Sequence, residues 1–170
     1  MKRHVRAFVR RHYAQAVSVR WIYATTRAGA RRGLFWQLVA RYYGHKLAKR
    51  FGIYVSHNAT IGQGLMLPHP VGIVIGESCS IGENATIYQH VTIGRRSRND
   101  PRYPVIGGNV VLYPGAVVIG PVRIGKFARI GANQVVSFDL PDGSVVAPPT
   151  ALAIDRRNLA EAPHGQEKTA

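Results

Sequence analysis

Acidic residues are scarce in this chain: eight Asp and Glu stand against 23 Lys and Arg, a formal charge of +15, and the first carboxylate is Glu77. The single cysteine, Cys79, excludes a disulfide framework and a cysteine-based zinc site, and suits a reducing cytoplasm. No apolar run approaches the ~20 residues needed to span a bilayer. Arginines interrupt the basic N-terminus before a signal-peptide core can form. Apolar residues make up 46% of 170 positions and charged residues only 18%, which supports a buried core and argues against wholesale disorder. The expectation is one basic, soluble, cytoplasmic domain.

The positive charge is concentrated at one end. Residues 1–50 contain 13 Lys and Arg and no acid, whereas the remainder holds 10 bases and 8 acids. Aromatic residues are interleaved with it: Trp21, Tyr23, Phe35, Trp36, Tyr42 and Tyr43. Phe8, Val9, Tyr13, Ala16, Val17 and Ile22 recur near helical spacing, as do Leu34, Phe35, Leu38, Val39 and Tyr42. The pattern predicts helices over about 3–27 and 33–50, broken around Gly29 to Gly33, within a basic region 1–52. This region reads as a helical cap on the main domain or as a peripheral contact with the anionic inner membrane face. No recognised nucleic-acid module follows it, so nucleic acid is not expected as a partner. Under the membrane reading, deleting residues 1–30 leaves the rest folded.

From residue 55 an aliphatic side chain returns every six positions: Val55, Ile61, Leu67, Ile75, Ile81, Ile87 and Ile93, then Ile106, Leu112, Val118, Ile124, Ile130 and Val136. The frame shifts twice, at a two-residue insertion placed at Ile73-Val74 and at an excursion over 95–105. Glycine follows the aliphatic residue in seven units, as if the chain turned a tight corner there. The fifth position is usually small: Ala59, Val71, Cys79, Ala85, Val91, Val110, Ala116, Val122, Ala128. Leu65, Ser97, Gln134 and Leu140 are the exceptions. A period of six fits an amphipathic helix poorly, and the glycines would break one. Two inward residues per six instead describe one short strand and one corner of a triangular coil. Three units make a turn of roughly 18 residues, with turns stacked roughly 4.8 Å apart. The fold class is an all-β parallel β-helix of about five turns over 53–154, with a flexible tail 155–170. Cys79 falls in the small inward slot and reads as core filler.

The stretch Ile61 to Val146 contains I-G-Q-G-L-M-L-P-H-P-V-G-I-V-I-G-E-S, then I-Y-Q-H-V-T-I-G and P-R-Y-P-V-I-G. On these motifs the chain resembles the left-handed β-helix, hexapeptide-repeat acyltransferases, and most closely their serine acetyltransferase branch. The resemblance implies transfer of acetyl from acetyl-CoA to a hydroxyl, no metal, a homotrimer, and active sites in grooves between subunits. His69, just before Val-Gly-Ile-Val-Ile-Gly-Glu, matches the catalytic base. An imidazole in hydrogen-bond reach can take the proton of an alcohol as it attacks a thioester. His90 lies in the third unit of the next turn, so spacing puts it on a nearby part of the same face, where it could orient the acceptor or take part in proton transfer.

Several positions depart from the serine acetyltransferase pattern. Pro68 stands where a carboxylate precedes the catalytic histidine, and Tyr54 where an aspartate orients it. Arg102-Tyr103-Pro104 keeps only the arginine of an Arg-His-Pro. Glu77 or a backbone carbonyl is the candidate replacement orienter of His69. Without those carboxylates an α-ammonium would be desolvated and unpaired. The expected acceptor is therefore a saccharide hydroxyl, as in the small exopolysaccharide O-acetyltransferases, contacted by Tyr54, Ser56, His57, Arg102 and Tyr103. Serine O-acetylation, another small hydroxylic acceptor and a non-catalytic trimeric scaffold are the alternatives. For acetyl-CoA, matching positions are Gly94-Arg95, Pro114-Gly115 and Gly131-Ala132-Asn133, with Lys126, Arg129 and Arg123 toward the nucleotide phosphates. The segment from Leu140 to Pro149 resembles the family's end-of-helix loop.

Overall fold

The computed structural model describes residues 2–97 and 99–147, with side chains from residue 14 onward. Pro148, Pro149 and the segment 155–170 expected to form the tail lie outside the described residues, as do the side chains of Phe8, Val9 and Tyr13.

The chain opens with helices α1 (Lys2–Gly29) and α2 (Leu34–Phe51). Gly33, at a φ of 112°, separates them, and Gly52 ends α2 in the left-handed conformation, its N–H donating to the Ala48 carbonyl at 3.0 Å and the Ile53 N–H to that of Leu47 at 3.4 Å. Lys49 and Arg50 lie in the last turn of α2, where cations complement the helix dipole.

Among the described residues, thirteen strands of two or three residues follow and stack into three parallel sheets. Face I holds β1 (Tyr54–Val55), β3 (Val74–Ile75), β6 (Thr92–Gly94), β9 (Val117–Ile119) and β12 (Val135–Val136). Face II holds β2 (Thr60–Ile61), β4 (Ser80–Ile81), β7 (Val105–Ile106) and β10 (Arg123–Ile124). Face III holds β5 (Thr86–Ile87), β8 (Val111–Leu112), β11 (Arg129–Ile130) and β13 (Val145–Val146). The chain visits I, II and III in rotation, so every coil crosses the edges I–II, II–III and III–I in that order. Registers Ile75↔Ile93 and Val118↔Val136 show the unbroken 18-residue turn.

The inward aliphatic ladder is as read from the sequence. Leu67, Ile75, Ile81, Ile87, Ile93, Ile106, Leu112, Val118, Ile124, Ile130 and Val136 are buried, and only Val55 and Ile61, at the open first coil, are partly covered. Outward strand positions favour β-branched residues such as Thr60, Thr86 and Val111, which suit a pleated, half-covered surface.

Three details of the frame differ. Val71 is exposed and Ile73 fills the small slot of its unit, so the two extra residues lie in the loop from Pro68 to Gly72. Leu140 is not a corner residue: it bridges Ile124 and so occupies the strand position of its coil. The glycines that follow the aliphatic residues, among them Gly62 and Gly107, lack the positive φ of a tight corner. Their reason is the neighbouring coil. A Cβ on Gly62 would come within 2.6 Å of the Glu83 nitrogen, and one on Gly107 within 2.7 Å of the Lys126 nitrogen. Positive φ falls instead two positions later, on Ser78, Asn84, His90, Asn109, Phe127 and Asn133.

Cys79 is fully buried, its thiol 3.7 Å from the Ile93 carbonyl oxygen. Burial pushes that thiol up to about 11 from 9.0, outweighing the lowering by a hydrogen bond with the Gly76 backbone. Between those two values the unfolded chain ionises while the folded chain stays protonated, so this group's contribution to stability falls as pH rises through the window. At pH 8 the native thiol is expected to resist a maleimide and to react once the protein is denatured. Rapid stoichiometric labelling of the folded protein would contradict this burial.

α1 closes the first coil. Tyr23 Oη donates to the Gly62 carbonyl at 2.6 Å and accepts from the Leu65 N–H at 3.2 Å. Ile22 and Leu47 are fully buried in the same core as the coil residues, and the Trp21 ring meets Phe51 at 5.9 Å. The cap reading holds for these residues but not for Phe35, which is 66% exposed.

Candidate active site

The III–I edge collects both candidate histidines and two of the three backbone segments assigned to the cofactor by sequence. Pro68, His69 and Pro70 open it in the first coil, Tyr88, Gln89 and His90 follow in the second, Tyr113, Pro114 and Gly115 in the third, and Gly131, Ala132 and Asn133 in the fourth. His69 and His90 therefore share one edge, one coil apart, as their spacing predicts.

His69 is exposed on the one loop the repeat lengthens by two residues. Pro68 and Pro70 flank it; the second disfavours the helical region for His69 itself and the first fixes its own φ, so the loop is stiff. The His69 carbonyl accepts the Val71 N–H at 2.9 Å, closing a tight turn. Its ring centroid lies 6.2 Å from that of Tyr88, at 40°, and Tyr88 stacks on Tyr113 at 5.6 Å and 10°. A ladder of three rings thus runs along the edge.

His90 is tied to the same loop. It sits at a φ of 60°, its N–H donates to the Val71 carbonyl at 3.0 Å, and its ring covers Gly72 so closely that a side chain there would collide with Nδ1. Asn84 over Gly64 and Asn133 over Gly115 repeat this arrangement with a side-chain oxygen. The Pro114 carbonyl accepts the Asn133 N–H at 2.9 Å, joining two of the segments assigned to the cofactor.

The I–II edge carries the other group. Ser56 and His57 turn the first coil there, Glu77 the second, and Gly94, Arg95 and the excursion with Arg102 and Tyr103 the third. Glu77 does not face His69 within one chain, because β3 runs between their loops; its Oε1 accepts from Asn58 Nδ2 at 3.1 Å. Ser56 Oγ accepts the Asn58 N–H at 3.2 Å. Arg102 pairs with Asp100, Nε and Nη2 each 2.9 Å from a carboxylate oxygen, and this pairing lowers the Asp100 carboxyl and raises the guanidinium. Tyr103 packs partly on the core, with the Arg95 guanidinium 6.0 Å from its ring centroid. A cleft of about 400 Å³ between Tyr103, Val105, Pro121 and Arg123 lies on this side and does not reach His69. Tyr54 is exposed on face I, between the two edges.

Lys126 and Arg129 stand apart from both edges. Lys126 turns the II–III edge, its N–H donating to Asp142 at 2.8 Å, and Arg129 points outward from β11. Arg123 points outward from β10.

Sequence reasoning missed Tyr88, Tyr113 and Gln89. Gln89 Oε1 is buried on the III–I edge with no hydrogen-bond partner among the described residues. The signal was present: Tyr88 and Tyr113 each follow the inward aliphatic residue of successive coils, in the place usually taken by glycine.

Of the described carboxylates, Glu77 and Asp100 belong to the I–II side and Glu83 to the II–III edge. Asp139 and Asp142 accept the backbone N–H groups of Arg123 and Lys126. None stands on the III–I edge.

Comparison with known proteins agrees with this frame. Residues 72–114 and 121–147 match the family described as the hexapeptide repeat of succinyl-transferase. Serine acetyltransferase of Helicobacter pylori strain J99 is 42% identical over 106 residues, covering 62% of each chain. A serine acetyltransferase structure in complex with cysteine superposes with a TM-score of 0.67 at 29% identity, over 81% of this chain and 55% of that one. A serine acetyltransferase complex with CoA superposes with a TM-score of 0.60 at 31% identity, over 69% and 48%. The chain thus spans less than two thirds of the length of the relatives it matches.

Proposed function

We propose that this chain, which carries hexapeptide repeats and folds as a parallel β-helix, transfers the acetyl group of acetyl-CoA to a hydroxyl, with His69 as general base. The observation that carries this reading is the Pro68-His69-Pro70 loop, placed on the edge shared by His90 and the segments Pro114-Gly115 and Gly131-Asn133. In this mechanism Nδ1 or Nε2 of His69 accepts the hydroxyl proton while the oxygen attacks the thioester carbon. The tetrahedral intermediate collapses with loss of the CoA thiolate, which takes up a proton. His90, seated on Gly72, holds the catalytic loop.

The reaction is assigned to a homotrimer. Face I separates the His69 edge from the Arg95–Tyr103 excursion, and it turns Tyr54, Val74, Thr92, Val117 and Val135 outward. A second copy packed there brings the excursion of one subunit toward the His69 edge of the next. The CoA complex of a relative supports acetyl-CoA as co-substrate.

The first acceptor on this reading is L-serine, supported by the names and 42–45% identity of the relatives. It displaces the saccharide expected from sequence. The saccharide stays as a second reading because the III–I edge has no carboxylate to pair with an α-ammonium, and Pro68 stands beside His69. Release of CoA with a panel of serine, nucleotide sugars and oligosaccharides decides between them. Saturable turnover of serine at millimolar or lower concentration assigns serine; turnover confined to sugars assigns the second reading. No CoA release with any hydroxylic acceptor would remove the catalytic proposal.

A further inference from the structure

We propose that the outward side of α2 docks onto an anionic lipid surface. This inference concerns a part of the molecule remote from the chemistry and stands whichever hydroxyl is the acceptor.

α2 has two apolar sides. One carries Ala40 and Leu47, both buried against α1 and the first coil. At about 100° per residue, Leu34, Phe35, Leu38 and Tyr42 fall on the opposite side, and they are 73%, 66%, 55% and 56% exposed. Single exposed apolar residues need no explanation, but four on one stripe of one helix do. Arg41 lies on one flank of the stripe, Lys46 on the other, and Lys49 extends it toward the helix C-terminus. Three of the cations of this region lie over aromatic rings: the Arg31 guanidinium 4.1 Å from the Trp36 centroid, the Lys46 ammonium 5.3 Å from that of Tyr42 and the Arg50 guanidinium 5.7 Å from that of Phe51. An apolar stripe with flanking cations and aromatics is the chemistry of a helix lying in a headgroup layer.

Charge selects the occupant. Thirteen Lys and Arg and no acid occur in residues 1–50, so two copies of this face would repel each other. A nucleic acid would meet the cations but has no place for Leu34, Phe35 and Leu38. An anionic bilayer surface takes both, the aliphatic and aromatic side chains at the acyl boundary and the cations among the headgroups. No helix of the described residues is long and apolar enough to cross a membrane, so the contact lies on the surface.

The test is co-sedimentation of the full chain with vesicles of phosphatidylcholine alone or mixed with phosphatidylglycerol, at low and high salt. The expected result is binding only to the anionic vesicles at low salt, with loss at high salt. Phe35→Asp with Leu38→Asp should abolish it while CoA release and the circular-dichroism spectrum stay unchanged, because both side chains are exposed. Arg41→Gln with Lys46→Gln should weaken it roughly fivefold per cation removed. Protein left in the supernatant at low salt overturns the proposal. So does binding that survives the double aspartate variant, since charge alone would then suffice. Self-association without vesicles that is lost in that variant would assign the face to a second copy instead.

Discussion

Replacing His69 by alanine is expected to lower acetyl transfer about 10²- to 10⁴-fold and to leave folding intact. The side chain is exposed on a loop that the repeat accommodates as an insertion, so its removal opens no cavity in the aliphatic ladder. The loop keeps its shape without the imidazole, because Pro68, Pro70 and the hydrogen bonds of Val71 and His90 are main-chain features. The loss should fall mainly on kcat, since a general base acts on the proton in flight and contributes little to binding the ground state. His90→Asn provides the contrast. Asn84 and Asn133 occupy the same turn position over Gly64 and Gly115, so asparagine should preserve the seat on Gly72 and cost far less than His69→Ala. Turnover of His69→Ala near that of the parent would exclude His69 as the base, and an equal loss in both variants would make the loop geometry, not the imidazole, the source of the effect.

The period of six was legible because each inward position carries an aliphatic residue whatever coil it belongs to, and hydrophobic periodicity reads that directly. Where the frame slipped, the composition was ambiguous. Val71 and Ile73 are both aliphatic and two apart, so alternation alone does not say which one turns inward. Leu140 is likewise apolar at a place where either a corner or a strand would bury it. The repeat glycines were seen but given the wrong cause, since contact with the backbone of the next coil is a non-local fact that φ preferences do not encode.

The site followed the same division. Counting coils placed His69 and His90 on one edge, because both follow face III strands in successive turns. Pro114-Gly115 and Gly131-Asn133 came from the family resemblance alone, and the coil register puts them on the same edge. Glu77 was offered to His69 in place of the missing aspartate; within one chain a strand of face I lies between them, and Asn58 Nδ2 donates to its Oε1. Tyr88 and Tyr113 became visible only in register, where they stack. On α2 the sequence showed apolar residues without saying that they form two stripes, one against α1 and one outward.

Deleting residues 1–30 is expected to leave an aggregating protein, contrary to what the charge pattern alone suggests. α1 contacts both β1 and β2, the outermost strands of faces I and II at the first coil. Their outer edges are open to pairing, and an uncovered strand edge is a template for association. Stacked-repeat folds need such a terminal cap for solubility. The deletion also removes Ile22, fully buried in the common core, and the Tyr23 hydroxyl that satisfies the Gly62 carbonyl and the Leu65 N–H. Truncating a buried isoleucine alone costs about 2–5 kcal/mol, against a total stability of about 5–15 kcal/mol for a typical domain. Ile22→Ala should therefore lower the thermal midpoint by several degrees, and Tyr23→Phe less, since it keeps the ring and loses the hydrogen bonds. Size-exclusion chromatography and thermal unfolding of the three proteins give the answer. If the truncated chain elutes as a single compact species and unfolds within a few degrees of the full chain, α1 is dispensable to the coil, and the basic N-terminus is a surface attachment alone.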